Sequence, residues 1–201
     1  MESLTLVALI VIGAYLLKSR AQKQRIALLA SYLGNHQIEK LMENLTEGYL
    51  RCLGEEDPER RAQIWALLDT TEEKLSAQFD AFAAEFAQVD ESEARVSKFP
   101  FAMPYVDRLL PGASFDLRKA FAIHARGISE VMKNSAARSA KAKAFTMSAE
   151  LFLMQHTCHW FCKSKAVASA RMLARHKTSY QQVVEAVSPE TRNAYRALIG
   201  Q

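Results

Sequence analysis

The residues best equipped for chemistry lie together in the run His156-Thr157-Cys158-His159-Trp160-Phe161-Cys162. Imidazoles and thiolates are ligands for soft metal ions. On a helix Cys158 and Cys162 stand one turn apart with His159 between them, so two or three donors could converge on one ion. A closed structural zinc site needs four ligands. His124 or Cys52 would have to complete the set, and nothing in the sequence joins them to it. His156, Cys158, His159, Cys162 and His124 are therefore candidate metal ligands without a motif, since the spacing is neither Cys-x-x-Cys nor the Cys-x-x-Cys-His of c-type haem attachment. The competing expectation, that these cysteines and aromatics pack in a core, needs no special geometry and is preferred. No cofactor is expected. The chain also lacks Glu-x-x-His, His-Glu-x-x-His and Gly-x-x-x-x-Gly-Lys, the signatures of di-iron bundles, zinc proteases and nucleotide-phosphate loops. The expected function is accordingly not enzymatic.

Charge is the second chemical pattern. Residues 118–177 carry 12 Lys/Arg against 2 Asp/Glu, whereas residues 26–97 carry 6 against 15, an asymmetry hidden by the formal net charge of +4. Lys119, Arg126 and Lys133 recur at seven-residue spacing, and Arg138, Lys141 and Lys143 follow. Such a basic surface attracts phosphates of nucleic acid or of anionic lipid, but without a recognised fold it gives attraction and no sequence specificity. If the chain folds back on itself, the acidic and basic halves serve each other first.

The elements that must position these groups read as helices. Hydrophobic residues make up 49% of the chain, with only 7 Gly and 5 Pro, which suits long helices and leaves few turn signals for a sheet. The expected class is all-α. Residues 3–17 contain no charge and are apolar on every side, the mark of a helix with no solvent face. They would span roughly 22 Å, short of the roughly 30 Å hydrocarbon core, with snorkelling of Lys18 and Arg20 closing part of the gap. A buried core helix and a secretory signal peptide are the alternatives. Against the signal peptide, no basic segment precedes the apolar run and Lys18-Ser19-Arg20 follows it. Lys18, Arg20, Lys23 and Arg25 lie just after the span and Glu2 before it, so the charge rule leaves the N-terminus outside and the body in the cytoplasm. Three cysteines without framework spacing fit that reducing compartment.

The domain organisation follows from these segments. Residues 1–25 are the transmembrane anchor and basic flank, 26–97 an acidic helical region, 98–114 a proline-rich connection, and 115–201 a basic helical region packed on the first. Within 26–97, a stop at Gly34-Asn35 precedes a helix ending at Gly54. Asp57-Pro58 then starts another. Its seam Ile64, Leu68, Thr71, Leu75, Phe79, Phe82, Phe86, Val89, Glu93, Val96 alternates steps of four and three, which predicts one long coiled-coil-like helix over 58–97. A capping box of Thr70 and Glu73 would instead split it near Asp69. The stretch 99–112 holds the prolines that interrupt the chain, and its aromatic residues suggest a connection lying against the body or a hydrophobic docking strip. Ser114 is expected to cap the next helix. A hydrophobic helix follows over 145–176, and Ser188-Pro189 starts a last one ending at Gly200.

The function expected from the sequence is a membrane-anchored, non-enzymatic helical interaction protein, an inner-membrane complex subunit or adaptor whose partner is another protein or a second copy. The alternative is a membrane-tethered nucleic-acid-binding module using the basic half. A metal or haem carrier built on the His156–Cys162 run ranks below both.

Overall fold

The computed structural model describes residues 2–102 and 111–201. Eight α-helices occur among them: α1 (Glu2–Leu33), α2 (Ile38–Gly54), α3 (Pro58–Phe86), α4 (Leu117–Lys133), α5 (Ala140–Cys162), α6 (Lys165–His176), α7 (Tyr180–Ala186) and α8 (Pro189–Ile199). Two short strands, β1 (Arg95–Ser97) and β2 (Ser114–Asp116), pair antiparallel with Val96 opposite Phe115. The class is all-α, and α1 is the one described helix long and apolar enough to cross a membrane.

Helix α5 is the centre of the body, with α1, α2, α4, α6 and α7 packed on it, while α3 bridges α2 and α4, and α8 closes over α4. Residues on all sides of α5 are buried, Leu151, Leu153, Met154, Trp160 and Phe161 among them, as expected of a helix apolar around its whole circumference. A cluster of aromatic rings joins α3 to α4. Phe121 meets Phe79, Phe82 and Phe86 at centroid distances of 6.1, 5.0 and 5.0 Å, mostly edge to face, the geometry the ring quadrupoles favour.

The long helix expected over 58–97 is shorter than its seam. It does not break at Asp69, where the Thr70 hydroxyl bonds back to the Ala66 carbonyl within the helix. It ends at Phe86, and residues 95–97 form β1. Val89 and Val96 are buried as the seam requires, but on a turn and a strand. Tertiary structure ends the helix: Arg118 Nη1 donates to the Val89 carbonyl at 3.1 Å, and Val96 is drawn into the ladder with Phe115. The apolar face of α3 is covered by α2 and α4 of the same chain.

Other boundaries also move. Ser114 belongs to β2, and Asp116 caps α4 by accepting from Arg118 N at 2.9 Å. Gln37, not Asn35, precedes α2, with its backbone N–H bonded to Gln78 Oε1 at 3.2 Å. The helix expected over 145–176 begins earlier and is two: Lys163 leaves helical geometry and Ser164 caps α6 through Val167 N. Helix α7 adds an element the sequence reading passed over. Asp57-Pro58 and Ser188-Pro189 begin α3 and α8, and Gly200 ends α8 in the left-handed conformation. Of the connection 98–114, residues 103–110 lie outside the described residues. Its two ends are tied, because Lys98 N donates to the Ala113 carbonyl at 2.8 Å.

Candidate membrane-proximal site

Helix α1 has two halves with different surroundings. Leu6, Val7, Leu9, Ile10, Val11, Ile12, Tyr15, Leu16 and Leu17 are all 45% exposed or more, and none of the apolar 18-residue window is buried in the body. This removes the reading of residues 3–17 as a core helix. Leaving each such side chain in water forgoes about 1.5–3 kcal/mol, and a contiguous patch of this kind marks a surface that lipid or protein covers. The second half is structural. Leu29 is buried, the Tyr32 and Phe86 rings meet at 5.4 Å, and Arg25 lies over the Phe161 ring with Nη1 3.5 Å from the Phe161 carbonyl.

Where the halves meet, a crevice of about 450 Å³, open mouth included, separates α1 from the body. Lys18, Ala21, Gln22 and Arg25 line it from α1, spaced so that they share one helix face. Ser97, Phe99 and Phe101 line it from the end of β1 onward, and Trp160, Lys163 and Ser164 from the α5–α6 junction. Two hydrogen bonds set its walls: Trp160 Nε1 donates to the Ser97 carbonyl at 2.8 Å, and Lys163 Nζ donates to Gln22 Oε1 at 3.2 Å. No Asp or Glu lines it among the described residues.

The histidines and cysteines singled out in the sequence do not converge. Among the described residues no three His, Cys, Asp or Glu side chains form a group that could hold a metal ion. His156 Nε2 pairs with Ser169 Oγ at 3.0 Å while its ring stacks on Tyr180. His159 Nδ1 faces Arg171, and Cys158 Sγ lies 3.9 Å from Met154 Sδ. Burial pushes the Cys158 thiol up and the Cys162 thiol up to about 11, so both are held as thiols, the poorer metal ligand. His124 bonds Thr157 Oγ1 at 2.9 Å, and Cys52 contacts the Arg61 carbonyl between α2 and α3.

The basic surface divides. Lys119, Arg126 and Lys141 are exposed, and Lys133 lies 3.9 Å from Glu130. Arg138 is half-buried, its backbone bonded to Asn134. Lys143 is taken up by the acidic half: its ammonium is 2.8 Å from Asp69 and 2.6 Å from the buried Glu72, which also accepts from Tyr49 at 2.5 Å.

Sequence reasoning missed the buried polar groups of the core. Glu150 Oε1 accepts from both the backbone N–H and the hydroxyl of Ser188, at 3.0 and 2.7 Å, fastening the start of α8 to α5. Burial raises the Glu150 carboxyl above the usual carboxylate range despite those bonds. Gly127 on α4 permits the approach, since a Cβ there would stand 2.3 Å from Thr191 Oγ1 and 2.6 Å from Glu150 Oε2. The one sequence signal was a lone Glu in a helix otherwise apolar from Leu151 to Met154.

Compared with protein-family models, with curated proteins and with solved structures, the chain matches none.

Proposed function

We propose that this chain is a single-pass, membrane-anchored, non-enzymatic interaction protein. Residues 3–17 insert in the inner membrane, and the helical body, on the cytoplasmic side, serves as an adaptor or complex subunit. The observation that carries the reading is the division of α1, uncovered and apolar through Leu17 yet built into the core at Leu29. The four cations from Lys18 to Arg25 support the cytoplasmic orientation. Leu50 and Leu67, exposed at 73% and 71% on α2 and α3, support docking of a protein partner.

Two measurements test the proposal. A periplasm-active alkaline phosphatase fused after Gln201 stays inactive while a fluorescent protein fused there is bright; the reverse pattern overturns the topology. Purification of the native protein in mild detergent retains a stoichiometric protein partner or a second copy. A lone monomer that binds duplex DNA with a steep salt dependence would replace the adaptor with a tethered nucleic-acid-binding module.

A further inference from the structure

We propose that the crevice at the foot of α1 seats the phosphate of an anionic phospholipid headgroup from the leaflet facing the body, an inference that rests on α1 crossing the bilayer. Its position fits first. At about 1.5 Å per residue, Lys18 to Arg25 covers about 10 Å of axis starting at the last uncharged residue, and the headgroup layer on each side of the hydrocarbon is about 5–8 Å thick.

Its chemistry fits as well. Lys18 enters from α1 and Lys163 from the body, and the bond to Gln22 holds the Lys163 ammonium across the crevice. Phosphate oxygens accept from such ammonium groups, and Arg25, held against the Phe161 ring and carbonyl three residues past Gln22, adds positive potential behind them. A soluble phosphate ester would find these cations but leave the rest of the lining bare. Phe99 and Phe101 stand beside Trp160, and Phe101 is 69% exposed. Aromatic rings at this level suit the glycerol and upper acyl region of a lipid. Trp160 itself is buried, with its N–H on Ser97 and Lys165 over its ring, so the apolar contact with the lipid falls to Phe99 and Phe101, both exposed.

The test uses the full-length protein reconstituted in nanodiscs of phosphatidylcholine containing a minority of phosphatidylglycerol, then exchanged into neutral detergent, with retained lipid measured by mass spectrometry. The wild type keeps phosphatidylglycerol in preference to phosphatidylcholine. The K18Q/K163Q variant loses this retention about twenty-five-fold, at about five-fold for each cation near an anionic lipid surface, and K18R/K163R restores it. The R20Q/K23Q variant removes the same charge outside the crevice and keeps the preference. Equal retention of the two lipids, or an equal loss in R20Q/K23Q, overturns the site in favour of diffuse surface attraction. Displacement of the lipid by glycerol phosphate at low concentration overturns the lipid as the source of the phosphate. Alkaline carbonate extraction of wild-type membranes separates the two readings: protein that is extracted refutes the anchor itself, whereas protein that resists extraction without preferring phosphatidylglycerol refutes the crevice alone.

Discussion

Lowering the pH from 7 to 5 should cost this fold about 4 kcal/mol through two histidines, His124 and His156. His124 is fully buried. Its Nε2 meets Thr157 Oγ1 at 2.9 Å, and because the Thr157 hydroxyl donates to the Leu153 carbonyl at 3.0 Å, the histidine must be the donor. Nδ1 is then the basic nitrogen, and it has no partner in the apolar interior. A proton placed there would be an unsolvated charge, and burial pushes the imidazole from the ordinary 6.5 down to about 3. His156 is pushed down to about 3 by burial first and then by Lys165, His159 and His124. Both groups have folded pKa values below their unfolded ones, so their contribution is complete above pH 6.5. It is lost as pH falls, because the unfolded chain takes up protons that the native state refuses. Integrated from pH 7 to pH 5, each contributes a loss of about 2 kcal/mol, and a chain of this size should melt about 8–16 °C lower. Glu72 and Glu150, raised by burial, act in the opposite sense as pH falls toward 5. The decisive quantity is therefore the difference in slope between the wild type and the H124Q/H156Q variant, read as circular-dichroism melts of the full chain in neutral detergent. Gln keeps a donor for Thr157 and cannot titrate. A wild type whose melting temperature has the same pH slope as the double variant between 7 and 5 would refute the reasoning, whatever the absolute stabilities.

Three further outcomes follow from the core. Lys143→Met leaves the Glu72 carboxylate buried beside Tyr49 without its cation, so the protein should lose about 3 kcal/mol in denaturant melts, with E72Q/K143M regaining most of it; a single variant as stable as wild type would show that solvent reaches Glu72. Gly127→Ala drives a methyl group into Thr191 and Glu150 and should cost about 1–3 kcal/mol, while the same change at Gly54, which has open space around it, should not destabilise the fold. Cys158→Ala with Cys162→Ala should leave metal content by plasma mass spectrometry unchanged; about one equivalent of zinc or iron in the parent, lost in the variant, would restore the metal reading.

How much was legible depends on whether the deciding force is local. Asp57-Pro58, Gly200 and the charge-free run of α1 act within a few residues, and the sequence displays them directly. The end of α3 does not. The 3.5-residue register continues through Val89 to Val96, and both residues are indeed buried, but burial alone does not distinguish further helical turns from a strand. The groups that decide, Arg118 on the Val89 carbonyl and Phe115 across the ladder, lie 29 and 19 residues away from the positions they fix. The break at Ser164 and the start of α7 were readable but unread: Ser164 is a cap in an apolar pattern that runs on past it, and Ser179 with Gln182 forms a capping box. The crevice left only half a trace. Lys18, Gln22 and Arg25 are visibly on one helix face, but Trp160 and Lys163 reach them only through the packing of α5 against α1.

Helix α1 runs from Leu17 to Leu29 without a glycine or proline, climbing about 18 Å, and its far end is set in the core. In the anchored state this makes it a strut with no hinge. The body cannot swivel or search like a domain on a flexible tether; it stands at one height and one azimuth, and any tilt of the span is handed to it undiminished. Because the apolar run is shorter than an average bilayer, thickness itself becomes an input. In that anchored state a thinner membrane would leave the crevice bearing Phe101 and Lys163 further from the headgroups, and a thicker one would draw it deeper among them.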